Sequence, residues 1–259
     1  MDALVANFPT LLLVITRISS FFVTVPLFSY RTIPNNLKIG LAVLLSFLVS
    51  TSMKLPVVEI DDVYLMLVLK EAMVGLSIGL IAFIMMSAIQ IAGGFIDFQM
   101  GFAIVNVIDP QTGAQGPIMG QYFYVIALLL LLTFNGHHLL LDGIYYSYKI
   151  VPITSVANFP FGSEHLVEYF VRTFNSMFII AFQMAAPVVG TLFLVDLALG
   201  IVARTVPQLN IFVVGLPLKI LVSLVLIAIS MSAFSLVLNN LFQQVIEVMR
   251  GLMEIIGGV

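Results

Sequence analysis

Cysteine is absent from this chain, which excludes disulfides, thiolate metal sites, iron–sulfur clusters and covalently attached haem. Charge is scarce as well, with 9% of residues ionisable as Asp, Glu, Lys or Arg, against about a quarter in a soluble globular protein. The charges sum to −3, so the sequence offers no basic face and nucleic acid is not an expected partner. His-Glu-x-x-His and Gly-rich phosphate-loop patterns are missing, which removes the main support for ordinary intramembrane proteases and nucleotide-driven pumps. No Pro/Ser-rich linker, low-complexity tract or soluble domain interrupts the chain, and residues 1–259 read as a single membrane domain. The N-terminus lacks a basic n-region and a small-residue cleavage site, so the first apolar segment is expected to be retained.

What remains is apolar. A hydrophobic content of 61% and a mean hydropathy of +1.16 describe an all-α integral membrane protein. A spanning helix needs about 20 apolar residues, and by that measure there are about six segments. They cover residues 8–28, 39–53, 63–92, 122–134 with a continuation toward 141, 174–203 and 211–238. The second and fourth are short and the third and fifth long, which points to kinked, protein-packed helices and hairpins rather than a stack of parallel spans. Lys and Arg fall equally on the two sides that six crossings would define, so the charge bias that orients most membrane proteins is absent.

The connections differ in kind. Residues 135–172 form the longest polar one and are expected outside lipid. Residues 93–121 mix Gly93, Gly94, Gly101, Gly113, Gly116 and Gly120 with Phe95, Phe98 and Phe102. At membrane depth such a loop is tolerated only when buried in protein or lining a cavity. A pore lining or plug and an ordinary extramembrane loop both fit it. At the far end, residues 241–256 place Gln243, Glu247, Arg250 and Glu254 on one stripe, an amphipathic tail suited to a membrane surface or to partner helices.

Several patterns have a plainer reading than their chemistry suggests. Gly75-Leu76-Ser77-Ile78-Gly79 matches a hydrolase nucleophile elbow but lies inside an apolar helix with no turn. As Gly75-x-x-x-Gly79 it is a small-residue face for close helix packing. His137, His138 and Asp142 lack enough separated ligands for a metal site, and they read as a helix end. Met85, Met86, Met100 and Met119 read as packing, or as a deformable seal around a moving polymer.

Charges at membrane depth are the stronger signal. Arg17 stands roughly 13 Å into the first segment, near mid-bilayer for a normally spanning helix. Lys70 and Glu71 lie inside the third segment, Asp97 follows it, Asp196 is in the fifth, and Arg204 and Lys219 flank the break before the sixth. An ionised group at that depth costs roughly 2.5–3.5 kcal/mol even on the lenient insertion scale, so these must face protein or water. A transporter or channel would use them, Asp196, Arg204 and Lys70 above all, as an ion relay. An assembled complex would use them as assembly charges. Residue types alone leave both open.

One block is specific. Asp196-x-x-x-Gly200-x-x-x-Arg204-x-x-Pro207-Gln208-Leu209-Asn210-Ile211-Phe212, followed by Gly215-x-Pro217-x-Lys219, resembles the hallmark of the FliR family of flagellar export-gate subunits. The likeness extends to Arg17, Pro26, Lys70-Glu71, Gly75, Gly79, Gly93-x-x-x-Asp97-x-x-Met100-Gly101-Phe102 and Asp109-Pro110. Virulence-type secretion subunits of the same architecture look less similar over residues 207–212.

The resemblance implies a non-enzymatic subunit without cofactors that forms, with FliP and FliQ, the helical core of a type III export gate in the bacterial inner membrane, at the flagellar basal body. It implies a FliP-like part over residues 1–173 and a FliQ-like hairpin with the amphipathic tail over 174–259, present as a single copy that closes a helical ring. FlhB-like and FlhA-like subunits and exported flagellar proteins would be further partners, beside membrane lipid. Residues 106–120 would form the resting plug, carried by Asn106, Ile108, Asp109, Pro110, Gly113, Gly116, Ile118, Met119 and Gly120. The block 207–219 would form the bend of the hairpin.

Overall fold

The computed structural model describes residues 7–30, 33–53, 55–102, 116–154, 163–208 and 210–258. Among these the regular structure is helical throughout: α1 (Phe8–Thr24), α2 (Asn35–Ser52), α3 (Tyr64–Met100), α4 (Ile118–Thr133), α5 (Gly136–Ile150), α6 (Glu164–Thr205) and α7 (Ile211–Gly257). With 37, 42 and 47 residues, α3, α6 and α7 would each exceed about 55 Å when straight, well past a hydrocarbon core of about 30 Å. Among the described residues, four helices (α2, α3, α6 and α7) are long and apolar enough to cross a membrane, making five spans if α4 and α5 count as one bent span. The sequence suggested about six. The difference lies in α1, whose 17 residues fall short, and in the count of four also in α4, which reaches the needed length only together with α5.

The helix ends follow local chemistry. Pro9 sits in the first turn of α1, where its missing N–H costs nothing. The Asp61 carboxylate accepts the Val63 N–H just ahead of α3. At the other end of α3, Gly101 adopts a φ of 91°, and the Gly101 and Phe102 N–H groups donate back to the Phe98 and Asp97 carbonyls. That is a Schellman stop, which needs a left-handed residue. Asn135 supplies another left-handed residue, φ 57°, between α4 and α5. Ser163 caps α6 through the Leu166 N–H, and Asn210 caps α7 through the Phe212 N–H.

Four sequence expectations change. First, α3 does not stop at Ala92 but runs through Gly93 and Gly94 to Met100. The helix tolerates this pair because a Cβ on Gly93 would collide with the backbone of Met119 and Gly120, so its smallness is used for packing. Second, residues 136–150 are helix rather than polar connection. Their buried residues Gly136, Leu140, Ile144, Ser147 and Tyr148 form one helical stripe that the polar average conceals. Third, α6 begins at Glu164, ten residues before the apolar run, because its first turns are amphipathic and carry the exposed pair Arg172–Glu168.

The fourth change concerns the amphipathic tail, which is the unbroken end of α7. Val245, Met249, Leu252, Met253 and Ile256 are buried within the chain while Gln243, Glu247, Arg250 and Glu254 are exposed. Its apolar face docks on the chain's own helices. The Tyr169 hydroxyl donates to the Val248 carbonyl at 3.0 Å, and a Cβ on Gly143 would stand 2.6 Å from Met249 Cε.

Two compact units divide the residues, interleaved along the sequence. One comprises Met1–Met85, Asn135–Phe174 and Gln243–Val259, and the other Met86–Phe134 and Asn175–Phe242. In the first, α1 presents Leu13, Val14, Arg17, Ile18, Phe21 and Phe22 on a single buried stripe. The first half of α3 crosses α1 closely at two glycines. A Cβ on Gly75 would fall on Ser20 Oγ and the Arg17 carbonyl, and one on Gly79 on Thr24 Oγ1. In the second unit, the rest of α3 packs with α4 and the α6–α7 hairpin, where Phe123 and Phe234 lie 4.8 Å apart between centroids.

These glycines give a prediction with a built-in control. Alanine improves on glycine in a helix by about 0.8–1.0 kcal/mol where space is free. At Gly40, with no atom within 4 Å of its Cβ position, Gly40→Ala is expected to leave the unfolding midpoint of the purified protein unchanged or raised. Gly75→Ala must displace backbone and is expected to cost about 1–3 kcal/mol as an overpacking change. Equal midpoints for the two variants would show that the α1–α3 crossing is not close.

Candidate functional site

Apart from Arg204, the charges that stood out in the sequence fall into two polar clusters, one in each unit. In the first unit, Arg17 on α1 faces Glu71 on α3 as a bidentate fork, with Nε to Oε2 at 2.5 Å and Nη2 to Oε1 at 2.9 Å. Arg17 Nη1 also donates to Ser147 Oγ at 3.1 Å and Nη2 to the Val151 carbonyl at 2.9 Å. The guanidinium lies 4.2 Å from the Tyr148 ring centroid, a cation–π contact on the side facing α5. Lys70 Nζ pairs with Glu71 Oε1 at 3.1 Å and donates to the Pro152 and Ile153 carbonyls at 2.5 and 3.0 Å.

Each member is placed by helix periodicity. Arg17 falls on the α1 stripe because it follows Leu13 and Val14 by one turn, and Ser147 and Tyr148 end the buried stripe of α5. The three carbonyls just past α5, of Val151, Pro152 and Ile153, accept from two cations. Two positive charges against one negative leave a surplus that the carbonyl oxygens spread out. Arg17 and Glu71 are both wholly inaccessible to solvent and Lys70 nearly so.

The second cluster lies at the far end of α3. The Asp97 carboxylate accepts the Met119 N–H, with Oδ2 at 3.0 Å and Oδ1 at 3.2 Å. It thereby caps α4, whose own N-cap residue, Pro117, offers no side-chain acceptor. Two residues on, Gln99 Nε2 donates to Asp196 Oδ2 at 2.8 Å. Asp196 on α6 also pairs with Lys219 on α7, and Lys219 Nζ donates to the Gln99 carbonyl at 3.4 Å. Asp196, Gly200, Phe212, Gly215 and Lys219 line a cavity of about 280 Å³ together with Met100 and Gly101. Gly215 is buried against Leu199.

The block was expected to bend over 207–219, but α7 already begins at Ile211 and includes Pro217, so only the residues between Thr205 and Ile211 turn the hairpin. Arg204, Pro207, Gln208 and Pro217 are exposed, as is Asn210, which caps α7, and 86% of Phe212 is exposed. Arg204 has no ion-pair partner among the described residues. Of the expected plug, Asn106, Ile108, Asp109, Pro110 and Gly113 lie outside the described residues. Gly116 precedes α4, and Ile118, Met119 and Gly120 form its first turn rather than a loop. Met85, Met86 and Met100 are fully buried. The His137 and His138 rings meet at a tilt of 37°, their centroids 4.2 Å apart, at the start of α5. Sequence reasoning missed Ser147, Tyr148 and Gln99. The four-residue spacing of Gly136, Leu140, Ile144 and Tyr148 was the available signal for the first two; Gln99 had none.

Comparison with known proteins follows the same residues. The profile of the bacterial export proteins, family 1, matches residues 8–245. Flagellar biosynthetic protein FliR of Bacillus subtilis is 56% identical over 259 residues, covering 99% of both chains. The protein of that name from Aquifex aeolicus is 30% identical over 241 residues, 92% of each. Yop proteins translocation protein T of Yersinia pestis is 31% identical over 175 residues, 67% of this chain and 66% of its own.

The buried cluster predicts an asymmetric response to substitution. Glu71→Ala leaves two sealed cations without their carboxylate and is expected to cost about 3–5 kcal/mol. Arg172→Ala, which breaks the exposed Arg172–Glu168 pair, is expected to leave stability unchanged within error, as most surface pairs do. Denaturant unfolding of the purified protein in detergent distinguishes the two; a Glu71→Ala protein as stable as the parent would mean that the fork carries no structural weight.

Proposed function

The chain belongs to the bacterial export proteins, family 1, and on that premise we propose that it is a non-enzymatic core subunit of the flagellar type III protein export gate, which helps form and close the channel for unfolded flagellar proteins. Its partners are FliP-like and FliQ-like subunits in the helical core, with FlhB-like and FlhA-like subunits beside them and exported flagellar proteins as cargo. It sits in the bacterial inner membrane at the flagellar basal body. Residues 1–173 supply a FliP-like part and residues 174–259 a FliQ-like hairpin and tail, with the boundary inside the continuous helix α6.

The observation that carries this reading is a division of labour between polar and apolar groups. Arg17 and Glu71 are sealed at 0% exposure and satisfied within the chain. A relay needs at least intermittent access for its ion, so a sealed, fully bonded cluster suits a structural role instead. Apolar side chains along the hairpin are meanwhile left uncovered, among them Leu194, Ile201, Phe212, Val213, Leu221 and Ile229. Helices longer than a bilayer cannot cover that whole length with lipid, so neighbouring subunits account for part of it. The ion-relay transporter is not favoured.

Within this reading, the part of the expected plug that precedes α4, residues 106–117, acts as the movable plug, and the assembly charges act indirectly by fixing the helices whose outer faces meet partners. Affinity purification of the tagged chain from membranes is expected to bring down FliP-like and FliQ-like proteins, whereas stable isolation alone with ion transport in liposomes would overturn the assignment. Deleting residues 106–115 is expected to give a gate that assembles yet leaks small ions; an unchanged conductance in a correctly assembled complex would assign closure to another subunit.

A further inference from the structure

The two polar clusters differ in a way that the gate role alone does not require. The Arg17–Glu71 fork is sealed, but Asp196 and Lys219 keep 36% and 21% of their side chains exposed and open into the cavity beside them. A half-exposed pair can separate without stranding a buried charge, because water takes over each partner. Its surroundings are also particular. Lys219 reaches the carbonyl of Gln99, one of the last four of α3, which a helix end leaves open and which favours a cation. The Gln99 side chain returns to Asp196. Leu216, one turn before Lys219, lies 3.7 Å from the Cβ position of Gly101, the left-handed residue at which the chain leaves α3. On the opposite side of this same turn, Asp97 holds the first turn of α4.

We propose that the Asp196–Lys219 pair is a releasable latch that fixes the last turn of α3 to the α6–α7 hairpin, with Lys219 as the positioning residue. A displacement of the hairpin is thereby passed to residues 97–101 and, through Asp97, to the start of α4. The consequence for channel closure rests on the plug reading given above. The latch itself does not, since it involves only Asp97, Gln99, Gly101, Asp196 and Lys219.

The test separates the ion pair from the latch. Exchanging the charges, Asp196→Lys with Lys219→Asp, preserves a pair between α6 and α7, but the carboxylate now at position 219 has no proton to donate to the Gln99 carbonyl. In the assembled gate, hydrogen exchange at the backbone amides of residues 99–102 is expected to quicken by roughly tenfold, the worth of one charge-assisted hydrogen bond. Lys219→Arg keeps the donor and is expected to exchange at nearly the parental rate. Should the exchanged pair not assemble, Gln99→Leu leaves both charges in place and removes only the link to Asp196, with a smaller increase expected.

Unchanged exchange in the variant that assembles overturns the latch. Ion leak then tests the coupling. If deleting residues 106–115 leaks and the charge exchange does not, the coupling is overturned while the plug reading stands. If the deletion does not leak, the plug reading fails and the latch is decided by the exchange rates alone.

Discussion

The fork between Arg17 and Glu71 is the interaction on which the first unit depends. It joins α1 to α3, and through Ser147, Tyr148 and the Val151 carbonyl it joins both to the end of α5. Burying an ion pair adds little net stability, because desolvation consumes most of the Coulombic gain. Its value is positional. An arginine with no exposure must find its acceptors, and only one register of α1 against α3 and α5 supplies them all. The glycine contacts depend on the same register, since the Arg17 carbonyl is what a side chain at Gly75 would strike.

In the second unit the ion pair is more open to solvent. Asp97 reaches across to cap α4, and the Asp196–Lys219 pair borders a cavity instead of closing one. Small residues again set the approach distances, with Gly93 against Gly120 and Gly215 against Leu199. The specific sequence block thus has two physical duties. Asp196, Gly200, Gly215 and Lys219 shape the cavity and its ion pair, while Pro207 and Asn210 turn the chain and start α7. Its apolar members, Phe212 foremost, remain uncovered within the single chain.

That contrast bears on function. Charges inside apolar helices are ambiguous in sequence because relays and struts use the same residue types. Burial separates the two at the first cluster, where Glu71 is enclosed by Arg17 and Lys70 and so stabilises an arrangement. Family membership supports a component of a type III secretion export gate, and the sealed fork suits the structural role proposed for it.

Composition alone determined the medium and the class, because 61% apolar residues with 9% charged lies far outside the range of soluble folds. The block from Asp196 to Lys219 determined the family. Local signals also fixed the hairpin turn, since Pro207 and Asn210 act within a few residues of chain. Only the tertiary structure decided where α3 ends, because the smallness of Gly93 and Gly94 is used by the packing of α4 against them and not by anything within α3. It also decided that residues 136–150 are helical and that the amphipathic tail docks on its own chain, since stripes reveal a buried face but not what covers it. The pairing of Arg17 with Glu71, 54 residues away, and with Ser147, 130 away, was likewise beyond reach. A charge in a sequence carries no record of its partner, and that partner is set by which helix faces pack together.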